Sequence, residues 1–213
     1  MTEFDVSSWP RREIYEFFSA VPDPFYGLSF SVDVTALKRY AKAAGLSFYY
    51  CLSYLAVQAM EGIEAFRLRI RDGRLYLTDE LVPSCTDMEG NSGVFRFLTV
   101  RKNCSMETFC RRVSEQRQRQ QGLLDAQSEA WDDLVFISCV PWLEITGVSS
   151  TRAGSPDDCT VKLTWGRYRE QQGRLILNMT LEANHRTVDG WHIGQFYEAL
   201  QRSIDALPAL HSL

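Results

Sequence analysis

Ala183-Asn184-His185-Arg186-Thr187-Val188-Asp189-Gly190-Trp191-His192 stands between the last apolar alternation of the chain and its last helical pattern. Upstream, Leu175, Leu177, Met179 and Leu181 recur at every second residue, which predicts a strand with one buried face. Downstream, the spacing predicts a helix from about Trp191 to Leu207. Where a strand ends and turns into a helix, polar side chains leave the sheet and face a ligand. His185 at this turn is a candidate general base, because neutral imidazole near pH 7 accepts a proton from a hydroxyl or thiol and later returns it to a leaving thiolate. Asp189 reads as a second catalytic group or as a structural anchor. A carboxylate at a helix start is favoured by the helix dipole, and Gly190 permits a tight entry turn.

Outward from this segment the chain alternates between strand and helix patterns. Cys159–Arg167 reads as a strand joined to Leu175–Ala183 through Gln172-Gly173, and 149–158 is a loop rich in Ser, Gly, Pro and Asp. Leu134 to Val140 is nearly continuously apolar, which predicts a central strand covered on both faces. Asp72-Gly73 between alternating runs predicts a type I′ hairpin over 68–77. Strands are also expected over 28–34 and 94–100. Ser7 and Ser8 ahead of Pro10 predict a short capped helix over 11–20, Thr35 caps a helix ending at Gly45, and Ser47 and Ser105 open two more. Hairpins and helices without a repeated β-α unit imply an α/β two-layer sandwich, a mixed β-sheet with helices packed on one face. No composition break divides the chain, so one domain over 1–213 is expected.

Composition narrows the chemistry. The 213 residues carry a net charge of −4, which argues against nucleic acid as a partner. The six cysteines form no Cys-x-x-Cys pair, and His185 and His192 lack a third ligand at helical spacing, so no metal is expected. The amino terminus does not read as a signal peptide, and the apolar run 49–60 falls short of the ~20 residues that a bilayer span needs. No membrane association and a cytoplasmic location with reduced thiols are expected. A Ser-His-Asp hydrolase is disfavoured by the absence of a Gly-x-Ser-x-Gly elbow. Of three histidines, His192 falls on the first turn of the last helix and His211 in the tail, and read from the residues alone His185 equally fits a satisfied structural histidine at a strand end.

Asn184-His185-Arg186-Thr187-Val188-Asp189-Gly190 resembles the His-His-x-x-x-Asp-Gly signature of the chloramphenicol acetyltransferases, a trimeric acyl-CoA-dependent family. Further resemblances run along nearly the whole chain in order: Phe4-Asp5-Val6 through Trp9-Pro10-Arg11-Arg12-Glu13, Phe66-Arg67 to Asp72-Gly73-Arg74-Leu75, Pro141-Trp142, and Thr164-Trp165-Gly166-Arg167-Tyr168. The resemblance implies acetyl transfer from acetyl-CoA to a small-molecule hydroxyl, a cytoplasmic homotrimer with His185 at a subunit interface, and a role in antibiotic resistance. It implies that His185 is the general base, that Asp189 pairs with Arg11 to hold the turn, and that Thr164 steadies a water near the tetrahedral intermediate. Arg167 and Tyr168 fall where the family contacts coenzyme A, and Phe17, Phe18, Phe95 and Phe97 fall where it lines the acceptor pocket. Read from the residues alone, Thr164 equally fits a plain strand position and Tyr168 a surface aromatic.

Two departures stand out. Asn184 replaces the first histidine of the signature, a position that does not supply the family's base. Gly147 stands where an ungapped comparison places the serine that stabilises the oxyanion, and loss of such a donor costs on the order of 10²- to 10³-fold in rate. Gly147 motivates a second reading, a catalytically weakened relative that binds a small molecule or acyl-CoA as a trimer. His185-Arg186-x-Val188-Asp189-Gly190 also resembles the motif of dihydrolipoamide acyltransferase catalytic domains, but that resemblance covers the motif alone.

Overall fold

The computed structural model describes residues 1–90, 92–125, 128, 131–152 and 154–208. In chain order the elements are β1 (Thr2–Glu3), α1 (Arg12–Ser19), β2 (Phe25–Asp33), α2 (Thr35–Ala43), α3 (Phe48–Glu61) and the short α4 (Glu64–Arg67). The hairpin β3 (Leu68–Arg71) and β4 (Arg74–Leu77) follows, then β5 (Val82–Met88), β6 (Phe95–Thr99) and α5 (Met106–Arg119). The rest is β7 (Leu134–Val140), β8 (Val161–Gly166), β9 (Arg169–Gln171), β10 (Arg174–Asn184) and α6 (Gly190–Asp205).

The main sheet runs β2-β10-β8-β7-β5-β6, with β9 paired to β10. β10 is antiparallel to both its neighbours, β7 is parallel to β8 and to β5, and β5 and β6 are antiparallel, so the sheet is mixed. Strand side chains alternate between faces, and one face is buried under helices. Leu177, Met179, Leu181, Leu163, Trp165, Val135 and Ile137 join Leu52, Leu55, Phe109 and Phe196 of the helices in one core. This is the two-layer α/β arrangement implied by the sequence.

The other face is not covered by helices of the same chain, and that corrects one expectation. In β7 only alternate residues Val135 and Ile137 are buried, whereas Leu134, Phe136 and Ser138 are half-buried. The continuous apolar run therefore reflects a strand buried on one face and open on the other.

Capping follows the sequence in part. Ser47 and Ser105 each accept the amide hydrogen three residues on and begin α3 and α5. α1 instead begins after Arg11 with no side-chain cap, because the Ser7 and Ser8 hydroxyls are spent on Asp5. α2 begins after Val34, and its first turn is held by Asp33, whose Oδ1 accepts both the amide and the hydroxyl of Thr35. Thr35 Oγ1 in turn accepts the Leu175 amide and ties the helix start to β10.

The 68–77 hairpin turns at Asp72 and Gly73 with φ of 50° and 73°, the positive pair a type I′ turn requires. β1 adds to it as a third strand, giving a small second sheet whose apolar side packs on Tyr15 of α1 and on Cys159. This anchors α1, and so Arg11, beside the end of β10.

Candidate active site

β10 ends at Asn184, and the turn after it is bracketed by its own side chains. Asn184 is buried; its amide donates to the carbonyls of Pro156 (2.8 Å) and Asp158 (3.1 Å), while its Oδ1 accepts the Arg186 amide. Arg186, also buried, reaches the other way to Asp157 (2.6 Å), Ser19 (2.9 Å) and the Tyr15 hydroxyl (3.2 Å). Asn184 in place of a histidine thus builds the turn and has no exposed reactive group. His185 lies between these two anchors, with its amide donating to the Pro24 carbonyl at 2.7 Å.

The His185 ring is clamped by two aromatics, with Phe18 at 3.9 Å and Tyr26 at 4.3 Å between ring centres. Burial pushes its pKa below the ordinary imidazole value; Asp189 and the ring's own backbone carbonyl oppose that shift, and Arg11 adds to it. The net direction favours neutral imidazole, the form a base needs. Tyr26 is pushed the other way, chiefly by burial and then by Asp189, so its phenol stays protonated.

Asp189 caps α6, accepting the amides of Trp191 (3.0 Å) and His192 (3.4 Å) through Oδ1. Its Oδ2 forms an ion pair with Arg11 Nη1. Burial alone would raise the Asp189 pKa, but the hydrogen bond and charge of Arg11, with the His192 amide, outweigh it and hold the carboxyl below its ordinary value. His192 Nδ1 accepts the Asp189 amide hydrogen at 3.1 Å, which completes a reciprocal capping box. Burial lowers the His192 pKa, so the 2.9 Å approach of Nδ1 to Asp189 Oδ1 is that of a neutral ring and not an ion pair. His192 is accounted for structurally, and His211 lies outside the described residues.

A second group of polar side chains lies on the sheet face away from the helices, where Thr164 and Thr180 are nonetheless buried and the loop around Ile145 to Ser150 reaches Asn178 and Glu182. Thr164 in β8 stands opposite Thr180 of β10 on one side and Ser138 of β7 on the other. Thr180 faces Ser29 of β2, and their hydroxyls are 2.8 Å apart; Thr86 of β5 donates to Ser138 Oγ at 3.1 Å. Ser29, Thr180, Thr164, Ser138 and Thr86 therefore form a row of hydroxyls across five strands. Phe97 stands opposite Thr86, its ring 5.5 Å from Phe95 and 5.8 Å from Phe136.

This row corrects the reading of Gly147. That residue lies in the loop beyond β7, where a side chain would approach the Ser29 hydroxyl at 3.4 Å, and it is not a strand neighbour of Thr164. The hydroxyl beside Thr164 belongs to Ser138. The signal in the sequence was a single hydroxyl within the apolar run 134–140, at the position alternating with Val135 and Ile137, and the ungapped comparison passed over it. The weakened-relative reading loses the observation that motivated it.

Arg167 is exposed and reaches toward Glu144 at 3.5 Å, while the Tyr168 ring lies 5.9 Å from Phe48 and 5.3 Å from the Lys38 ammonium. Gly166 beside them has no room for a side chain, since a Cβ there would meet the Leu143 carbonyl oxygen at 2.4 Å. Gly166→Ala is expected to push the 143–145 loop off β8 and to cost about 1–3 kcal/mol, read as a lower denaturation midpoint; an unchanged midpoint would show that the loop yields freely.

The candidate residues thus fall into two groups. His185, Asp189, Arg11, Phe17 and Phe18 cluster at the end of β10, and Phe17 is exposed. Thr164 stands opposite Thr180, five residues and about 16 Å along the strand from His185, and β6 with Phe95 and Phe97 is four strands away, about 19 Å. One chain does not bring the groups together. A cleft of 560 Å³ opens beside Tyr26 between Asp23, Ser149, Arg152 and Glu182, and one of 550 Å³ lies behind Arg11 between Trp9 and Trp191; His185 lines neither.

Among the described residues no group of three or more His, Cys, Asp or Glu side chains is placed to hold a metal, and no helix is long and apolar enough to cross a membrane. The family model for chloramphenicol acetyltransferase matches residues 1–201. Chloramphenicol acetyltransferase 3 of Escherichia coli is 26% identical over 202 residues, which cover 94% of this chain and 95% of that one. A solved chloramphenicol acetyltransferase superposes with a TM-score of 0.85 over 95% of this chain and 99% of its own, at 23% identity. A probable dihydrolipoamide acetyltransferase of Listeria monocytogenes shares the fold at a TM-score of 0.69 and 15% identity, covering 99% of both chains. The match over residues 1–201, set beside an imidazole clamped at the end of β10 above an Arg11–Asp189 pair, places this chain in the chloramphenicol acetyltransferase family.

Proposed function

We propose that this protein transfers the acetyl group of acetyl-CoA to a hydroxyl of a small molecule, with His185 as general base, in a single domain spanning 1–213. The observation that carries the reading is His185 itself, an imidazole kept neutral by burial and held by Phe18 and Tyr26. His185 Nε2 removes the acceptor's hydroxyl proton as that oxygen attacks the thioester carbonyl. The hydroxyl of Ser138 donates to the oxyanion that forms there, and Thr164 steadies a water beside it. His185 then returns the proton to the departing thiolate, so no acyl-enzyme forms and the proton balance closes on one imidazole.

The separation of the two groups supports a shared site, in which His185 of one copy faces Ser138 and Thr164 of the next around a homotrimer in the cytoplasm. Arg167 and Tyr168 meet the coenzyme, with its phosphates near the cations and its purine near the aromatic rings. Phe17, Phe18, Phe95 and Phe97 form the acceptor's walls from both copies. Release of free thiol from acetyl-CoA, measured with a panel of hydroxylated acceptors that includes chloramphenicol, tests the activity and its place in antibiotic resistance. Acceptor-dependent release is expected, and none across the panel would overturn the reading. Sedimentation is expected to give three times the chain mass; a fully active monomer would exclude the shared site.

A further inference from the structure

Strands β5 and β7 pair in register from Val82 opposite Leu134 to Cys85 opposite Ile137, and their ladder stops there. Both strands continue, β5 along β6 to Met88 and β7 along β8 to Val140, so they part at the level of Thr86 and Ser138. Tyr49 of α3 fills the parting from the helix side. Its hydroxyl shares its one hydrogen between the carbonyls of Thr86 (2.9 Å) and Ile137 (3.0 Å), and burial raises its pKa so that it remains a donor.

On the open side the parting is spanned by hydroxyls. Thr86 Oγ1 donates to Ser138 Oγ at 3.1 Å, with a longer contact of 3.3 Å to the Ile137 carbonyl, which Tyr49 already serves. A hydroxyl has one hydrogen and accepts through its lone pairs, so an oxygen that accepts from one side has its own hydrogen left for another. We propose that Thr86 is a positioning residue for Ser138: by donating to Ser138 Oγ across the parting of β5 and β7, it turns the Ser138 hydrogen away from β5 toward the open face, where the oxyanion forms.

The inference rests on Ser138 as the oxyanion donor, and the test separates the two. Steady-state acetyl transfer is measured for Thr86→Val, Thr86→Ser, Ser138→Ala and the Thr86→Val/Ser138→Ala double variant. Thr86→Val, close in shape but without the hydroxyl, is expected to lower kcat roughly tenfold with the KM for acetyl-CoA within about twofold, and Thr86→Ser to restore it. In the Ser138→Ala background, Thr86→Val is expected to add no further loss. A wild-type kcat for Thr86→Val, or an equal loss in the Ser138→Ala background, overturns the role of Thr86 alone. A wild-type kcat for Ser138→Ala overturns the oxyanion reading and the relay with it. A crystal structure of Thr86→Val, set beside one of the wild type, reads the same point without turnover: the Ser138 side chain is expected to change rotamer, and an unchanged rotamer counts against the relay.

Discussion

His185→Ala is expected to lower kcat for acetyl transfer by about 10²- to 10⁴-fold, the range that general acid-base catalysis supplies, with thermal stability changed far less. The ring makes its contacts to Phe18 and Tyr26 at the protein's edge, so truncation removes packing on two aromatics but no core contact. His192 is unable to substitute, because its Nδ1 lone pair accepts the Asp189 amide hydrogen, which leaves the neutral ring's own hydrogen on Nε2. The pH profile of the wild type carries the same information. A base must be unprotonated to act, and burial lowers the His185 pKa from 6.5. Turnover is therefore expected to be full at neutral pH and to fall as the pH drops through a value below 6.5. A midpoint above 7 would show that the imidazole is held protonated and that the burial argument fails. Wild-type turnover in His185→Ala would remove the histidine from the mechanism altogether.

The second large effect is expected at Asp189. Its side chain joins the start of α6 to the Arg11 guanidinium, and it is mostly withdrawn from solvent, as is Arg11. Arg11 Nε and Nη2 are already buried without hydrogen-bond partners, so loss of Asp189 leaves a largely buried cation with no counter-charge among the groups the structure pairs with it. Removing one partner from such a pair costs about 3–5 kcal/mol when burial is complete, and loss of the cap adds ~1 kcal/mol. With the pair's residual exposure, Asp189→Ala is expected to cost about 3–4 kcal/mol, a fall in melting temperature of about 10 °C for a chain of this length. Asp189→Asn keeps an N-cap oxygen and is expected to recover about 1 kcal/mol of that. Equal melting temperatures for the two variants would mean that the cap contributes nothing, and a wild-type melt for both would remove the anchor. The carboxyl is held below its ordinary pKa of 3.8, so its contribution is present above that value and is lost as the pH falls through the depressed folded value. Above pH 5 the stability supplied by this residue is expected to be flat.

Much of this was legible in the chain. The alternation Leu175-Leu177-Met179-Leu181 marked β10, Ser47 and Ser105 marked helix starts, and Asp72-Gly73 marked the hairpin, because each is a local preference of backbone or side chain that neighbours do not reverse. Arg11 and Asp189, 178 residues apart, were linked by resemblance and meet in the structure as an ion pair. Thr35 and the Ser7-Ser8 pair misled as caps, because a carboxylate two or three residues earlier, Asp33 or Asp5, takes the hydroxyl in a local turn.

Sequence by itself determined most of the helices and strands and the apolar face of β10, which are properties of residues close together along the chain, and its resemblance to a family singled out His185 as the candidate base. Only the tertiary structure decided which hydroxyl stands beside Thr164. That choice depends on the register between β7 and β8, which pairs Ser138 with Thr164 and leaves Gly147 out in a loop. It also decided that helices cover only one face of the sheet and that His185 and the hydroxyl row lie apart on the same chain. Register and separation are set by how strands pair and where helices cover them, and no local spacing in the chain encodes either.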